Sequence, residues 1–396
     1  MLSKNFRIVL LLGLLGALLA GCSSSTPTVP TAADPAQLVE DAMATIQAEF
    51  TQTAQAIPPT DSPTETPIPS PTAIRTPPAL PGMYQSPILN SLDVPRTYID
   101  DTCTYLNAKW DPNKSAPGTV VAIVMYHGII DGVATRVDQI SKTDSRQLLD
   151  DLHNQGFEAI TTEQLLHFLE NNAKIPPRSV LLLVDDRHFA QYFNTHFRPF
   201  YEKYGWHVVN GWFSIDDYTG QQALPDNISL ATEGWVDYQA HGFTHWYMMT
   251  DDLSDELMMA ELQGSIVGNQ RNFGKKPIAF IWPGGGFGAR SVQMARELGY
   301  ELGFTVNPRG PIMFNWVPLS DQKDEGRPSF LAEGYINDPL MTLPRYWNTD
   351  MRSHIDEIRI MGKEAAAYAE QNKAIELEYY DIVCAPTYGA IPTLAP

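Results

Sequence analysis

Stretches of aliphatic residues alternate with amphipathic stretches along most of the chain after residue 98. The stretches "TVVAIVMYH" (119–127) and "SVLLLVDD" (179–186) are largely aliphatic, which is typical of strands buried on both faces. Four more stretches predict strands in the same way: "WHVVNGWF", "WVDYQAHG", "KPIAFIWP" and "ELGFTV". Strands of this kind favour a parallel sheet that is covered on both sides.

Helices are predicted between these strands from capping residues and helical periodicity. Asp144 is a candidate N-cap for "SRQLLDDLHNQGF", and Thr161 with Gln164 has the spacing of a capping box. From about Ser254, apolar residues recur near the 3.6-residue period, and "SVQMARELG" predicts a later helix that ends at a glycine.

The repeated alternation of strand and helix predicts an α/β fold. Its sheet is either an open doubly wound sheet or a closed barrel. The first strand is followed by "GIIDGV", which lacks the G-x-G-x-x-G spacing of a dinucleotide-binding loop. The barrel is therefore the favoured architecture.

The N-terminal residues resemble the export signal of a bacterial lipoprotein. Lys4 and Arg7 precede the apolar stretch "IVLLLGLLGALLA", which is short for a membrane span. The sequence Leu19-Ala20-Gly21-Cys22 then resembles a lipobox. This implies a signal peptide over residues 1–21, cleavage before Cys22 and a lipid on its sulfur. An uncleaved membrane anchor is the alternative, and both place the chain outside the cytoplasm.

Residues 22–97 are rich in Pro, Thr and Ser and predict an extended tether. The globular part divides into a domain over 98–350 and a C-terminal helical extension over 351–396. The tether suits a target in the cell envelope, because an extended chain reaches ~3 Å per residue.

Charge and cysteines add two limits. The net charge of -19 argues against nucleic acid and anionic lipid headgroups as partners. Beyond Cys22, the two cysteines are Cys103 and Cys384. In an oxidising compartment they form a disulfide, or they are unrelated.

Four predicted strands end in polar or turn-forming residues. Reactive groups gather at the carboxyl ends of strands in α/β folds, so these residues are candidates for one site. They are Tyr126 and His127, Asp185 and Asp186, His241 and His245, and Trp282 and Pro283.

Two histidines and one carboxylate, with positions left for water and substrate, make a hydrolytic metal site. The metal polarises a carbonyl, a second carboxylate accepts a proton from water, and a histidine protonates the leaving amine. Each motif alone has an ordinary structural explanation, but their joint occurrence at strand ends favours a catalytic site.

Together these residues resemble the polysaccharide deacetylases of the NodB-homology type, carbohydrate esterase family 4, over about residues 120–346. The resemblance is strongest to the branch that includes exported poly-N-acetylglucosamine deacetylases. It implies a distorted (β/α)7-type barrel and metal-dependent removal of acetyl groups from an N-acetylated glycan polymer. Such an enzyme is a hydrolase acting on carbon–nitrogen bonds of non-peptide amides.

The resemblance also implies roles for individual residues. Asp185 matches the general base, and Asp186, His241 and His245 match the metal ligands. Zinc is the expected ion, with cobalt and nickel as alternatives. His127 matches the catalytic acid of that branch.

The substrate groove is expected to involve Trp282 and Pro283, with Tyr126 beside it. Arg345, in "LPRY", is a candidate to orient the base. One departure stands next to the metal aspartate, where Arg187 replaces the usual glycine. We expect Arg187 to narrow the cleft, pair with Asp186 or bind substrate.

This departure at Arg187 keeps other functions open. A weak or inactive, membrane-tethered glycan-binding protein on the same fold is the main alternative to an enzyme. Hydrolysis of a different amide is a further one. The sequence leaves the polymer, the metal and the oligomeric state undetermined.

Overall fold

The computed structural model describes residues 75–393. The predicted signal peptide, Cys22 and the first part of the tether lie outside the described residues. No helix in residues 75–393 has the length and apolar character needed to cross a bilayer.

The described residues contain twelve short strands. The strands are β1 (Asp93–Arg96), β2 (Val120–Tyr126), β3 (Gly128–Ile130), β4 (Gln139–Ser141), β5 (Glu158–Ala159), β6 (Arg178–Val184), β7 (Val208–Trp212), β8 (Val236–Ala240), β9 (Ala279–Ile281), β10 (Leu302–Phe304), β11 (Val317–Ser320) and β12 (Tyr346–Trp347).

The α-helices are α1 (Thr102–Trp110), α2 (Lys142–Asn154), α3 (Thr162–Asn171), α4 (Ala190–His196), α5 (Arg198–Tyr204), α6 (Tyr218–Glu233), α7 (Asp255–Phe273), α8 (Ala289–Glu297), α9 (Met351–Tyr379) and α10 (Ala385–Tyr388). A π-helical turn, Tyr380–Cys384, joins α9 to α10, and 3-10 turns lie at Pro283–Gly285, Glu333–Tyr335 and Pro339–Met341.

The main sheet is a curled, parallel sheet. Its strand order is β10-β9-β8-β7-β6-β2-β12, with β5 paired beside β6. The N–H of Leu343 donates to the carbonyl of Gly303 in β10 at 2.9 Å, while Tyr346 of β12 pairs with Val124 of β2. The segment 343–347 therefore bridges the two edges of the sheet. The predicted distorted α/β barrel is confirmed.

The strands are apolar on both faces because each face packs against a different layer. Val121 and Leu181 belong to a cluster inside the curled sheet, together with residues of β9 and β10. Ala122 and Leu182, one residue further along, pack outward against the helices. Each buried aliphatic side chain contributes about 1.5–3 kcal/mol, so this double layer stabilises the site-bearing strands.

The helix starts were predicted with mixed success. Thr161 caps α3 in a complete capping box with Gln164, as predicted. Asp144 does not cap α2, because Ser141 does so by accepting a hydrogen bond from the N–H of Asp144. Asp144 instead lies in the first turn, where its charge suits the positive end of the helix.

The predicted tether extends too far toward its C-terminal end. Strand β1, within the predicted range, pairs antiparallel with β11, and the Trp316 indole donates to the carbonyl of Tyr84 at 2.9 Å. Pro95 lies opposite Pro318 in this two-stranded sheet. Prolines are tolerated in such edge strands, so the composition concealed the strand.

The C-terminal extension is the long helix α9, which packs on the barrel. Its Ile358 and Met361 are buried in the same cluster as β2. A disulfide joins Cys103 at the start of α1 to Cys384 after α9, with the two Cα atoms 5.3 Å apart. Both ends of the globular part are thereby linked covalently.

Candidate active site

The candidate site lies where three parallel strands of the main sheet end. His127 follows β2, Asp185 follows β6 and His241 follows β8. These strands are parallel members of one sheet, so their carboxyl ends lie at the same edge. The Asp185 N–H donates to the carbonyl of Tyr126 at 2.8 Å, which extends the sheet pairing into the site.

Asp186, His241 and His245 form a cluster of possible metal ligands. One ligand atom of each lies within 4.8 Å of the others. Asp186 Oδ1 is 3.5 Å from His241 Nε2 and 3.4 Å from His245 Nε2. Tetrahedral zinc with bonds of about 2.0–2.2 Å separates its ligand atoms by roughly 3.3–3.6 Å. The two distances to Asp186 fit a shared ion.

The backbone turns sharply after β6. Asp186 and Arg187 have φ values of 73 and 48, in the left-handed region that non-glycine residues seldom adopt. The Arg187 N–H donates to the carbonyl of Gly211 at 2.9 Å, which holds this turn against β7. Such strain costs on the order of 1–3 kcal/mol per residue and is common at functional sites.

His241 is buried, and its hydrogen bond fixes which nitrogen faces the cluster. Its Nδ1 lies 2.9 Å from the carbonyl oxygen of Ile281. A carbonyl only accepts, so Nδ1 carries a proton and Nε2 faces Asp186. Burial alone would lower the pKa of His241, but the carboxylates of Asp185 and Asp186 outweigh it and raise this pKa.

His245 ends a short loop in the left-handed conformation, with φ 66. Its ring stacks on Phe213, with 5.5 Å between centroids. Burial, and then the charge of His241, lower the pKa of His245 to about 4. A neutral imidazole is the form that binds a metal, so His245 is prepared for ligation at neutral pH.

Asp185 lies behind the cluster and is paired with Arg345. Arg345 Nη1 donates to Asp185 Oδ1 at 2.7 Å, and the two side chains are 1% and 3% exposed. Arg345 Nε donates to the carbonyl of Thr305. Burial alone would raise the pKa of Asp185, but the charges of Arg345, His241 and His127 outweigh it and lower this pKa.

His127 faces both aspartates from the end of β2. Its Nε2 lies 3.6 Å from Asp185 Oδ2 and 4.0 Å from Asp186 Oδ2. The ring stacks on Trp347, with 5.5 Å between centroids, and the Tyr192 hydroxyl donates to the His127 carbonyl at 2.7 Å. The imidazole is therefore held at the edge of the cluster and is partly exposed.

Three residues predicted to contact substrate are buried in the protein instead. Tyr126 is fully buried and packs edge-on against Phe197. Trp282 is also fully buried, and its indole donates to the carbonyl of Met341 at 2.8 Å. Pro283 is buried as well. Their side chains pack into the core of the protein, and the contact of these three residues with substrate stays a prediction.

Arg187 was expected to narrow the cleft, pair with Asp186 or bind substrate, and it pairs with Asp217 in place of Asp186. Its guanidinium is buried and donates to Asp217 Oδ1 at 2.7 Å and to the carbonyl of Ile215 at 3.0 Å. It also lies 3.9 Å from the centroid of the Phe213 ring. The left-handed turn at residues 186 and 187 directs successive side chains apart, so Arg187 anchors a neighbouring loop.

The sequence did not single out Glu261, Trp347 or His188 near the site. Glu261 is buried and binds the loop that carries His245. Glu261 follows Met258 by three residues and so falls on the apolar face of α7. A charged residue at that position of the helical pattern could have been recognised from the sequence. Trp347 and His188 carried no such signal.

Part of the chain is similar to known polysaccharide deacetylases. Residues 172–303 match the family model described as polysaccharide deacetylase. A Bacillus subtilis (strain 168) protein named "Putative polysaccharide deacetylase YxkH" is 21% identical over 211 residues, which are 53% of this chain and 70% of that protein. His127 and Arg345 lie outside the residues matched by the family model, so their roles depend on geometry.

Solved structures with a similar backbone include deacetylases. The Streptococcus pyogenes deacetylase PplD in complex with acetate aligns with TM-score 0.48 and 18% identity, over 61% of this chain and 99% of that one. A de-N-acetylase from Aggregatibacter actinomycetemcomitans aligns with TM-score 0.45 and 15% identity, over 60% and 99%.

The family match covers the strands that carry Asp185, Asp186, His241 and His245. Residues 172–303 are therefore assigned to a polysaccharide deacetylase domain of the NodB-homology type, carbohydrate esterase family 4, whose members are hydrolases of amide carbon–nitrogen bonds.

Proposed function

We propose that this protein is a metal-dependent N-deacetylase that removes acetyl groups from an N-acetylglucosamine-containing polymer outside the cytoplasm. The observation that carries the proposal is the cluster of Asp186, His241 and His245 beside the Asp185–Arg345 pair. The first three residues suit a divalent ion, and the adjoining Asp185, held by Arg345, suits proton transfer.

The donor set fits a divalent metal. Two imidazoles and one carboxylate, with further positions left for water and substrate, are typical of hydrolytic zinc sites. We expect Asp186, His241 and His245 to hold the ion, with zinc first and cobalt or nickel as alternatives. When bound, such an ion polarises the acetyl carbonyl and makes water easier to deprotonate.

The remaining residues supply the proton transfers. Asp185, kept ionised by Arg345, accepts a proton from the attacking water as the water oxygen bonds to the acetyl carbon. His127, in its protonated form, then donates a proton to the sugar nitrogen as the carbon–nitrogen bond breaks. The products are acetic acid, which ionises to acetate, and a free amine. Asp185 then loses its proton to solvent and His127 regains one, which restores both groups.

Arg345 is a positioning residue rather than a substrate contact in this scheme. It is buried and reaches Asp185 from the side away from His127 and His241, on the other carboxylate oxygen. This leaves Oδ2 of Asp185 directed toward the histidines and the cleft.

Lipidation at Cys22 and attachment to the membrane complete the proposal for location. Deacetylases of this family are often extracellular. The disulfide between Cys103 and Cys384 supports the same location, because disulfides persist in oxidising compartments. A Pro-rich tether would let the domain reach polymers of the cell envelope.

The alternative function, glycan binding without catalysis, has less support than deacetylation. Its main motivation was Arg187 in the cleft, and Arg187 is instead paired with Asp217. The residues proposed for metal binding and proton transfer face one another without obstruction from that side chain.

Acetate release tests the proposal. The purified full-length protein, loaded with zinc, is incubated with N-acetylglucosamine oligomers, and free acetate and new amines are measured. We expect both products in equal amounts, and we expect Asp185→Asn or chelation to abolish them. Glycan binding without acetate release in the metal-loaded protein would refute the enzyme and favour the glycan-binding alternative.

A further inference from the structure

Glu261 is a buried carboxylate that binds only the loop carrying the second histidine. It lies on α7 and is 2% exposed. Its Oε2 accepts from the N–H of Thr244 at 2.9 Å and from the N–H of His245 at 3.4 Å. Its Oε1 accepts from the hydroxyl of Thr244. Burying a carboxylate is costly unless hydrogen bonds compensate for the lost water. Here the three donors all belong to two adjacent loop residues, so the carboxylate is dedicated to this loop.

The same carboxylate explains the glycine between the two histidines. Gly242 has φ +88, and a Cβ there would lie 2.9 Å from Glu261 Oε2 and 3.2 Å from the N–H nitrogen of His245. A serine or threonine at 242 would crowd Glu261. The loop therefore has no hydroxyl at residue 242, and a carboxylate from the neighbouring helix takes the adjacent space.

We infer that Glu261 is a positioning residue that holds His245 in its metal-binding orientation. His245 has the left-handed φ of 66, a conformation that needs support from its surroundings. Glu261 gives that support by accepting hydrogen bonds from the N–H of Thr244 and from the N–H of His245 itself. This inference rests on the proposed metal site, which it extends to a residue outside the ligand set.

The charge of Glu261 adds a second contribution. A buried carboxylate near a cation-binding cluster favours the ion electrostatically, as outer-shell carboxylates commonly do. Removing such groups typically lowers metal affinity about 10–100-fold. A residue that merely packs α7 against the barrel would affect unfolding and leave zinc affinity unchanged.

The test compares zinc affinity with the stability of the metal-free protein. Zn²⁺ binding to full-length wild type, Glu261→Gln and Thr244→Val is measured by competition with a chromophoric chelator, and unfolding temperatures are measured without metal. Glu256→Gln is the matched control, since Glu256 lies on the exposed face of the same helix.

We expect Glu261→Gln to weaken zinc binding at least tenfold while the metal-free protein stays folded. Thr244→Val, which removes one donor and keeps the carboxylate, should weaken it less, and Glu256→Gln should match wild type. Zinc affinity within twofold of wild type in both Glu261→Gln and Thr244→Val would overturn the inference. So would losses seen only where the metal-free fold is lost. If wild type itself binds no zinc, the proposed function fails instead.

Discussion

The buried pair of Arg345 and Asp185 gives the most quantitative prediction. Replacing Arg345 by methionine keeps an unbranched apolar side chain and removes the guanidinium with its charge. An opposite charge at this distance typically lowers the pKa of an aspartate by about 1–3 units. With Arg345 gone, burial is opposed only by the weaker charges of His241 and His127, and the pKa of Asp185 rises. Each unit corresponds to about 1.4 kcal/mol.

The assay is the pH dependence of kcat/KM for acetate release. Asp185 works as a base only when ionised, so a raised pKa moves the acidic limb of the profile upward. We expect Arg345→Met to move that limb by about 1–3 pH units. Arg345→Lys keeps the charge but loses the paired donors, so its limb should move less.

Stability should change with pH in a matching way. The pKa of Asp185 is lowered in the folded state, so its contribution is present above the ordinary aspartate pKa of about 3.9. It is lost as the pH falls through the folded-state pKa. Breaking a buried ion pair costs about 3–5 kcal/mol, and we expect this difference between wild type and Arg345→Met at pH 7 to shrink in acid.

Arg352 supplies the control for that prediction. Arg352 pairs with Asp151 at 2.8 Å on the surface, with side chains 46% and 29% exposed. Arg352→Met should therefore change stability by less than about 1 kcal/mol and leave the pH profile unaltered. A folded, active Arg345→Met whose acidic limb coincides with that of wild type would refute the role given to Arg345.

Three further predictions concern the disulfide, the cluster and the aromatic residues. Cys103→Ser/Cys384→Ser should lower the free energy of unfolding by about 2–4 kcal/mol in chemical denaturation, and an unchanged value would contradict it. The raised pKa of His241 predicts that protons compete with zinc, so as the pH falls the apparent Kd should begin to rise already above the ordinary histidine pKa of about 6.5, and a flat profile would count against ligation by His241. Trp282→Ala should cost about 3–5 kcal/mol because Trp282 is buried, whereas Trp246→Ala, 72% exposed, should cost less than about 0.5 kcal/mol, and equal costs would contradict the burial assigned here.

The sequence predicted the arrangement of the site because parallel strands bring their ends together. His127, Asp185 and His241 each follow a recognisable buried strand, so their proximity followed from the fold class. Thr161 as a cap could likewise be identified from local chemistry alone. These are features that depend on short-range pattern and on the rule for strand ends.

Side-chain direction could not be predicted in the same way. Arg187 turns away from the cleft because two consecutive residues adopt positive φ, which no residue type there signals. Trp282 follows a strand end like the proposed catalytic residues, but its indole donates inward to the carbonyl of Met341. Glu261 lies on α7 and binds Thr244 in the preceding loop, so this tertiary contact depends on how the helix packs against the loop.

The central claim is that Asp186, His241 and His245 bind one divalent ion. Crystals of the zinc-loaded protein, measured at the zinc absorption edge, test it directly through an anomalous difference map. The account predicts one strong peak about 2.0–2.2 Å from a carboxylate oxygen of Asp186 and from Nε2 of both histidines. Metal-replete crystals with no peak there, or with the peak at other residues, would contradict it.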